Sequence, residues 1–192
     1  MRKVILSMMV SLDGFIEGSK KELDWHVWDK EMDKYMINFF DTIDTLLFGR
    51  VTYQLMESYW PTASAPNDDP IITGKMNNLP KIVFSKTLDK AGWQNTTLLK
   101  EVNADEIAKM KQSRQGGSKN MVIFGGANLA SAFLHMNLID EYQIIVNPVI
   151  LGKGEPLFRD SGDKLTLELL RTKIFSSGNV LLYYQPAKNK AS

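Results

Sequence analysis

Runs of consecutive apolar residues alternate along this chain with stretches whose apolar positions recur every three or four residues. The first run, Lys3–Ser11, is almost continuously apolar, which is typical of a strand covered on both faces. It follows a basic pair as a signal peptide would, but it is short, lacks a small-residue cleavage site and is soon followed by Asp13. We therefore interpret it as a strand. The stretch Lys30–Ile43, with Asp29 as a candidate N-cap, predicts a helix.

The same alternation continues to the C-terminus. Further strands are predicted at Thr45–Phe48, Lys81–Ser85, Thr97–Lys100, Asn120–Phe124, Tyr142–Ile150, Leu165–Phe175 and Asn179–Gln185. Further helices are predicted at Thr52–Ser58, from Asn103 to Gly116 and Gly117, and at Asn128–Met136. The proline-rich segment Pro61–Pro80 has no period and predicts a long loop, either a lid over a site or a disordered segment.

This order of elements predicts an α/β fold. We expect a mixed, mainly parallel central sheet of about eight strands, with helices on both faces and an antiparallel C-terminal edge. Residues 1–186 are expected to form one domain, followed by a polar tail at 187–192.

Composition narrows the function classes. The chain of 192 residues has 23 Lys and Arg against 22 Asp and Glu, so no global charge favours a nucleic acid or a membrane surface as partner. No run approaches the ~20 apolar residues of a membrane span. Cysteine is absent, which excludes disulfides and thiolate chemistry and fits a cytoplasmic protein. The two histidines lie far apart in the sequence, so we expect no metal site.

Three predicted strands end in residues suited to phosphate. Gly125 and Gly126 follow one strand and lead into a helix, an arrangement that lets backbone amides and a helix N-terminus meet an anion. A tight turn that requires glycine is the alternative. Gly49, Arg50 and Thr52 follow a second strand.

The third strand ends in Ser85 and Lys86, a hydroxyl and a cation. Ligands of open α/β sheets collect at the carboxyl ends of the strands, so together the three ends indicate a dinucleotide, although each alone is weak evidence. An arginine such as Arg50 is a strong phosphate ligand, but a solvated surface arginine is the alternative. The chain has no G-x-G-x-x-G, Walker A or H-E-x-x-H sequence.

These motifs, taken in order, resemble a known family. They are Ser11-Leu-Asp-Gly14, Gly49-Arg-Val-Thr-Tyr53, the strand ending in Ser85, Ile123-Phe-Gly-Gly126, Asn147-Pro-Val-Ile-Leu-Gly152 and Pro156-Leu-Phe158. The chain is similar, from about Lys3 to Tyr184, to the C-terminal reductase domain of bacterial riboflavin biosynthesis proteins, and most of all to its stand-alone relatives, within the dihydrofolate-reductase-like superfamily.

The resemblance implies NADPH as cofactor, a small-molecule substrate and a homodimer. By motif, Gly125 and Gly126 with the following Ala127 and Asn128 would hold the pyrophosphate. The resemblance assigns the other cofactor phosphates to Gly49, Arg50 and Thr52, and the neighbourhood of the adenosine 2′-phosphate to Ser85 and Lys86. Cations there would favour NADPH over NADH.

Two carboxylates are candidates for catalysis. Asp33 falls at the spacing of the folate reductase carboxylate, at the edge of the predicted helix's apolar stripe, where it could help to protonate a substrate; a solvated Asp near a helix N-terminus is the alternative. Asp13 falls where substrate and nicotinamide ribose lie in the superfamily; a turn-forming Asp-Gly is the alternative. Four aromatic residues are predicted either to flank the cleft or to belong to the core or a dimer interface: Trp25, Trp28, Tyr59 and Trp60.

The leading hypothesis is therefore an NADPH-dependent reductase of a small planar heterocycle. No deaminase segment precedes the resemblance and no pterin-recognition set accompanies Asp33, so we expect a substrate other than folate or the phosphorylated riboflavin precursor. A catalytically silent, dimeric nucleotide-binding module is the second hypothesis, and a structural protein with an empty cleft is the third.

Overall fold

The computed structural model describes residues 1–62, 69–112, 119–159 and 162–187. Residues 63–68 of the predicted loop, the end at Gly116 and Gly117 of the helix predicted to begin at Asn103, and the tail at 188–192 lie outside the described residues.

The described residues form ten strands and five helices. The strands are β1 (Val4–Val10), β2 (Phe15–Gly18), β3 (Ile43–Gly49), β4 (Lys81–Phe84), β5 (Thr96–Leu99), β6 (Asn120–Ile123), β7 (Glu141–Val146), β8 (Gly154–Pro156), β9 (Leu167–Ile174) and β10 (Val180–Pro186). The helices are α1 (Lys30–Phe40), α2 (Arg50–Tyr59), α3 (Pro70–Asn78), α4 (Ala104–Gln112) and α5 (Ala127–His135).

Eight strands form the central sheet in the order β5-β4-β3-β6-β1-β7-β10-β9. All neighbours from β5 to β7 pair in parallel, whereas β10 is antiparallel to both β7 and β9. The predicted mixed, mainly parallel sheet with an antiparallel C-terminal edge is confirmed.

Alternate residues of β1 explain why its apolar run is continuous. Val4, Leu6 and Met8 belong to one core, together with α4 and α5, while Ile5 belongs to the other core, with α1, α2 and α3. A central strand buried on both faces has no position for a solvated side chain. The interpretation of this run as a strand is confirmed.

The prediction of a loop throughout Pro61–Pro80 is wrong for its second half. Pro70–Asn78 is a helix, whose first amides, those of Ile71 and Ile72, donate to the Asp69 carboxylate. Proline at the first helical position fits this cap. The helix buries only Ile72 and Met76, a stripe too short for its period to stand out in the sequence.

Three further boundaries differ from the prediction. The first helix ends at Phe40, and Ile43 already belongs to β3. The strand predicted over Tyr142–Ile150 ends at Val146, shortly before Pro148, which has no N–H group to donate to a sheet. The two-stranded sheet of β2 and β8 was not predicted, since strands of four and three residues carry no alternation that reveals them.

Candidate functional site

Sheet order brings the three phosphate-suited strand ends side by side. β4, β3 and β6 are consecutive parallel neighbours, so their carboxyl ends lie at the same edge of the sheet. The predicted groups Ser85 and Lys86, Gly49 and Arg50, and Gly125 with Gly126 follow these ends in that order.

The helices that begin at two of these ends are capped differently from the rest. Helices α1, α3 and α4 each begin with a side-chain cap, in which Asp29, Asp69 and Asn103 accept from the first amides. The N-caps of α2 and α5 are Gly49 and Gly126, which make no side-chain cap bond. Helices α2 and α5 follow the adjacent strands β3 and β6. Their two uncapped N-termini therefore offer amide donors and partial positive charge to an anion at the same edge of the sheet.

The turn before α5 is closely packed against α2. Gly125 and Gly126 have positive φ angles of 149° and 88°. A Cβ atom on Gly125 would lie 3.0 Å from Thr52 Cγ2, and one on Gly126 would lie 3.3 Å from Thr52 Oγ1. Glycine is therefore required here by conformation and by contact, and the Thr52 hydroxyl lies beside the same backbone.

Two cations of the predicted site lie at the surface. Arg50 is exposed and donates from Nη1 to Gln54 Oε1 at 3.0 Å. Lys86 is exposed as well, and its Nζ lies 3.8 Å from a Glu101 carboxylate oxygen. Contacts this exposed contribute little to stability, so both cations remain available to a ligand phosphate.

Three of the predicted ligands already make contacts within the protein. The buried Ser85 hydroxyl accepts from the amides of Thr87 and Leu88, at 3.2 and 2.9 Å. It fixes its own turn and retains its proton for donation. Asn128 is exposed and accepts from Arg159, and Ala127 is buried. Their roles toward a cofactor stay predictions.

A cavity of about 390 Å³ opens beside the glycine turn, on the face of the sheet covered by α1, α2 and α3. Thr52, Gly125 and Gly126 line it, so the glycine turn borders the cavity. Its other walls are chiefly apolar, including Met36, Phe40, Met56, Ile72, Met76, Phe124 and Ile145. An apolar cavity with few polar groups is the usual form of a small-molecule site.

Of the two predicted catalytic carboxylates, Asp33 lines this cavity. Trp28, whose ring also lines it, donates its indole N–H to Asp33 Oδ1 at 2.6 Å. This bond orients the carboxylate. Within the described residues Oδ2 has no donor, which leaves one oxygen for a ligand.

Asp13 lies elsewhere. Its carboxylate is exposed and accepts from the Ser11 hydroxyl at 2.7 Å and from the amides of Leu151 and Gly152 at 3.1 and 2.8 Å. These hydrogen bonds, the Ser11 one foremost, lower the pKa of Asp13 below its ordinary value. The residue joins the turn after β1 to the loop after β7 and is not among the cavity-lining residues, and its part in catalysis stays a prediction.

His26 is a cavity-lining residue that the sequence analysis did not single out. Its Nε2 atom is buried and has no hydrogen-bond partner in the part of the chain that the structure describes, and its ring packs against Trp25 in a T-shaped arrangement. Burial lowers the pKa of His26 below the ordinary 6.5, so the imidazole is neutral at pH 7. An unpaired buried nitrogen is a natural partner for a polar atom of a ligand.

Two buried asparagines fix the segment that carries His26 and Trp28. The Val27 amide donates to Asn147 Oδ1 at 3.0 Å, and Asn179 Nδ2 donates to the Val27 carbonyl at 2.7 Å. Both asparagines are completely buried. The backbone between the two cavity residues is thus held from the loop after β7 and from the turn before β10.

Three of the four predicted aromatic residues, Trp28, Tyr59 and Trp60, line the cavity. Trp25 is not among the lining residues: its indole N–H donates to the Glu22 carbonyl and its ring packs on His26.

Fold and site together define an α/β domain of the reductase-like class, with a glycine turn suited to phosphate beside an apolar cavity. Residues 2–181 match the family described as the RibD C-terminal domain. The chain belongs to this family.

Individual similar proteins support this family assignment. The chain is 35% identical over 187 residues to the uncharacterised protein YyaP of Bacillus subtilis, covering 95% of this chain and 94% of YyaP. A solved structure from Shewanella sp. PV-4, whose name assigns it to riboflavin biosynthesis without proof, has a TM-score of 0.77 at 24% identity. The match covers 97% of this chain and 99% of the Shewanella chain.

A second solved structure is longer than this chain. The Thermotoga maritima protein named as a diaminohydroxyphosphoribosylaminopyrimidine deaminase and 5-amino-6-(5-phosphoribosylamino)uracil reductase has a TM-score of 0.67 at 15% identity. The match covers 97% of this chain and 57% of that protein, and shows likeness of fold.

Two findings concern other kinds of site. In the described ranges, no helix combines the length and the apolar character that crossing a membrane requires. Over those same residues, no group of three or more His, Asp or Glu side chains is arranged to hold a metal ion.

Proposed function

We propose that this protein is an NADPH-dependent reductase of a small planar heterocycle. The observation that carries the proposal is the pair of uncapped helix N-termini, α2 and α5, which meet through Thr52 and Gly125 beside an apolar cavity. Membership of the RibD C-terminal domain family, with a Thermotoga relative whose name includes a reductase, supports the same reaction class.

The residues present suit a dinucleotide that carries phosphates. The amides that follow Gly49 and Gly126 would hold the pyrophosphate, because α2 and α5 leave them without a side-chain acceptor. Arg50, Lys86 and the Ser85 hydroxyl would bind the 2′-phosphate, since a dianion is best matched by cations and donors. When bound, NADPH supplies the hydride.

The cavity residues would position the substrate and manage the proton. Trp28, Tyr59 and Trp60 present flat faces suited to stacking on a heterocycle. A reduced substrate needs one proton besides the hydride. Asp33, oriented by the Trp28 indole, is placed to relay that proton through its second oxygen, and the apolar walls exclude water from the reacting atoms.

The proposal is tested by NADPH consumption with a panel of pterins, pyrimidines, flavins and quinones. We expect at least one acceptor to be reduced by the wild-type protein and not by a Gly125→Ala variant. NADPH binding without turnover of any acceptor would favour the catalytically silent nucleotide-binding module. Failure to bind NADPH at all would contradict the cofactor site itself.

A further inference from the structure

The cavity beside the glycine turn is lined by acidic side chains and by no lysine or arginine among the described residues. Its ionisable lining residues are Glu17, Asp33, Asp69 and His26. The imidazole adds no positive charge at pH 7, because burial lowers the pKa of His26. The lining therefore carries net negative charge.

The two candidate phosphate-binding cations lie outside this lining, whereas the glycine turn proposed for the cofactor borders it. Arg50 and Lys86 are exposed at the ends of β3 and β4, and neither belongs to the cavity wall. Within the cavity, the second carboxylate oxygen of Asp33 has no donor among the described residues, and Asp69 accepts with its carboxylate from the first amides of α3. A phosphate on the substrate would lie near these carboxylates and be repelled by them.

The walls fit a flat apolar molecule. Five methionines line the cavity: Met8, Met9, Met36, Met56 and Met76. Methionine side chains are unbranched and polarisable, so they adapt to the outline of different rings. At the mouth, Trp28, Leu55 and Tyr59 are 46%, 49% and 40% exposed, which extends the apolar surface to the solvent.

Two polar atoms of the lining are suited to orient such a ligand. The second oxygen of Asp33 would accept from an N–H group of the ligand before it relays the proton, and the buried Nε2 of His26 would pair with another polar atom of the ring system. Neither interaction requires an anion on the ligand.

We propose that the substrate of this protein is an unphosphorylated planar heterocycle, neutral or cationic, that carries an N–H donor. The inference rests on the proposed reductase function and separates this chain from the Thermotoga relative, whose name specifies a phosphoribosyl substrate. Selection against phosphate comes from the acidic lining, in which the described residues include no lysine or arginine, while the helix N-termini at its border are assigned to the phosphates of the cofactor.

The test compares two ligands that differ only by a phosphate, riboflavin and FMN, with the smaller uncharged ring system lumichrome as a third probe. Binding to the full-length protein is followed by quenching of flavin emission, with and without saturating NADP⁺, so that FMN bound at the helix N-termini is recognised by its displacement. We expect riboflavin or lumichrome to bind about tenfold or more tightly than FMN in the presence of NADP⁺.

A variant pair tests the electrostatic cause. Leu55 lines the mouth and is half exposed, so Leu55→Arg adds a cation without entering the core, and Leu55→Gln is the matched neutral control. Leu55→Arg is expected to strengthen FMN binding about fivefold or more and to leave riboflavin unchanged relative to Leu55→Gln.

Equal or tighter binding of FMN by the wild-type protein would overturn the proposal, as would failure of both riboflavin and lumichrome to bind at about 1 mM, the limit of weak specific affinity. Failure of the proposed reductase function would instead appear as the absence of NADPH and NADP⁺ binding, or as NADPH binding without turnover of any acceptor. The flavin comparison without NADP⁺ does not depend on that result.

Discussion

Gly125 and Thr52 lie so close together that a Cβ atom on the glycine would be 3.0 Å from the threonine Cγ2. This contact joins the N-terminus of α5 to the first turn of α2. It explains why a strand end with two glycines is needed: the backbone passes against a neighbouring helix and leaves its amides open. The first prediction follows from this contact.

Gly125→Ala should weaken NADPH binding at least about tenfold, because alanine at a φ of 149° is strained by about 1–3 kcal/mol and its methyl group displaces Thr52. Gly74→Ala is the matched control. Gly74 lies inside α3 with open space around it, so alanine there should stabilise the fold by about 0.5–1 kcal/mol and leave binding unchanged. Fluorescence titration and thermal unfolding measure both effects, and unaltered affinity in Gly125→Ala would remove the glycine turn from the site.

Arg50→Ala should weaken NADPH binding roughly 10- to 100-fold and NADH binding much less, because a charge-assisted bond to the 2′-phosphate contributes about 1.5–3 kcal/mol. Lys34→Ala, which removes an exposed cation from α1, should change neither affinity. Calorimetric titration with both nucleotides gives the comparison. An equal loss for NADPH and NADH would contradict the assignment of Arg50 to the 2′-phosphate.

Asp33→Asn should lower turnover about 10²-fold or more with any acceptor that the protein reduces, while NADPH affinity stays near the wild-type value. The amide keeps the shape of the carboxylate and cannot relay the proton. Asp24→Asn, at an exposed carboxylate outside the cavity lining, is the control. Steady-state kinetics separate the two effects; full activity in Asp33→Asn would exclude this residue as the proton relay.

The buried His26 imidazole makes the stability of the fold depend on pH. Burial lowers its pKa below 6.5, so the unfolded chain binds a proton at a higher pH than the folded chain does. The stability that the neutral imidazole contributes is complete above pH 6.5 and is lost as the pH falls through the folded-state pKa. His26→Gln should therefore lose less stability than the wild type between pH 7.5 and 5, measured by denaturant unfolding.

His135→Gln, at an exposed position at the end of α5, is the control for this effect. The wild type and His26→Gln would show parallel pH profiles if the His26 imidazole were solvated instead of buried.

The homodimer implied by the sequence resemblance stays a prediction. Strand β9 is the last strand of the sheet and exposes Ile174, which is 73% accessible, along with Leu169 and Leu170. Exposed edge strands with apolar side chains favour pairing with another chain. We expect the wild-type protein to sediment as a dimer. Ile174→Lys should convert it to a monomer, whereas Met136→Lys, at the C-terminal cap of α5, should leave the dimer intact. A wild-type protein that sediments as a monomer would contradict the expectation.

The sheet was predictable because its signals are local. Strands such as β1 are continuous apolar runs in the sequence, and glycines mark the ends of β3 and β6. Because β3 and β6 are adjacent and parallel, Gly49 and Gly125 lie at the same edge of the sheet. The second half of the proline-rich segment was not predictable, since α3 buries two residues on a single short stripe.

The cavity residues depend on contacts that spacing does not reveal. Val27 is fixed by Asn147 and Asn179, 120 and 152 residues away, and only these contacts place His26 beside the cavity. The carboxylate of Asp13 likewise accepts hydrogen bonds from the amides of Leu151 and Gly152, which lie 138 and 139 residues further along the chain. The Asp-Gly sequence alone did not indicate these hydrogen bonds.

The most direct test of the cofactor site is thermal unfolding of the wild-type protein and Gly125→Ala with NADPH, NADH and NADP⁺. A ligand that binds only the folded state adds about 2.7 kcal/mol at a hundred times its dissociation constant. We predict a clear rise in Tm with NADPH and NADP⁺ and a small rise with NADH, and at the same ligand concentration a rise in Gly125→Ala about half as large or smaller. No shift of the wild-type protein with any of the three nucleotides would contradict this prediction.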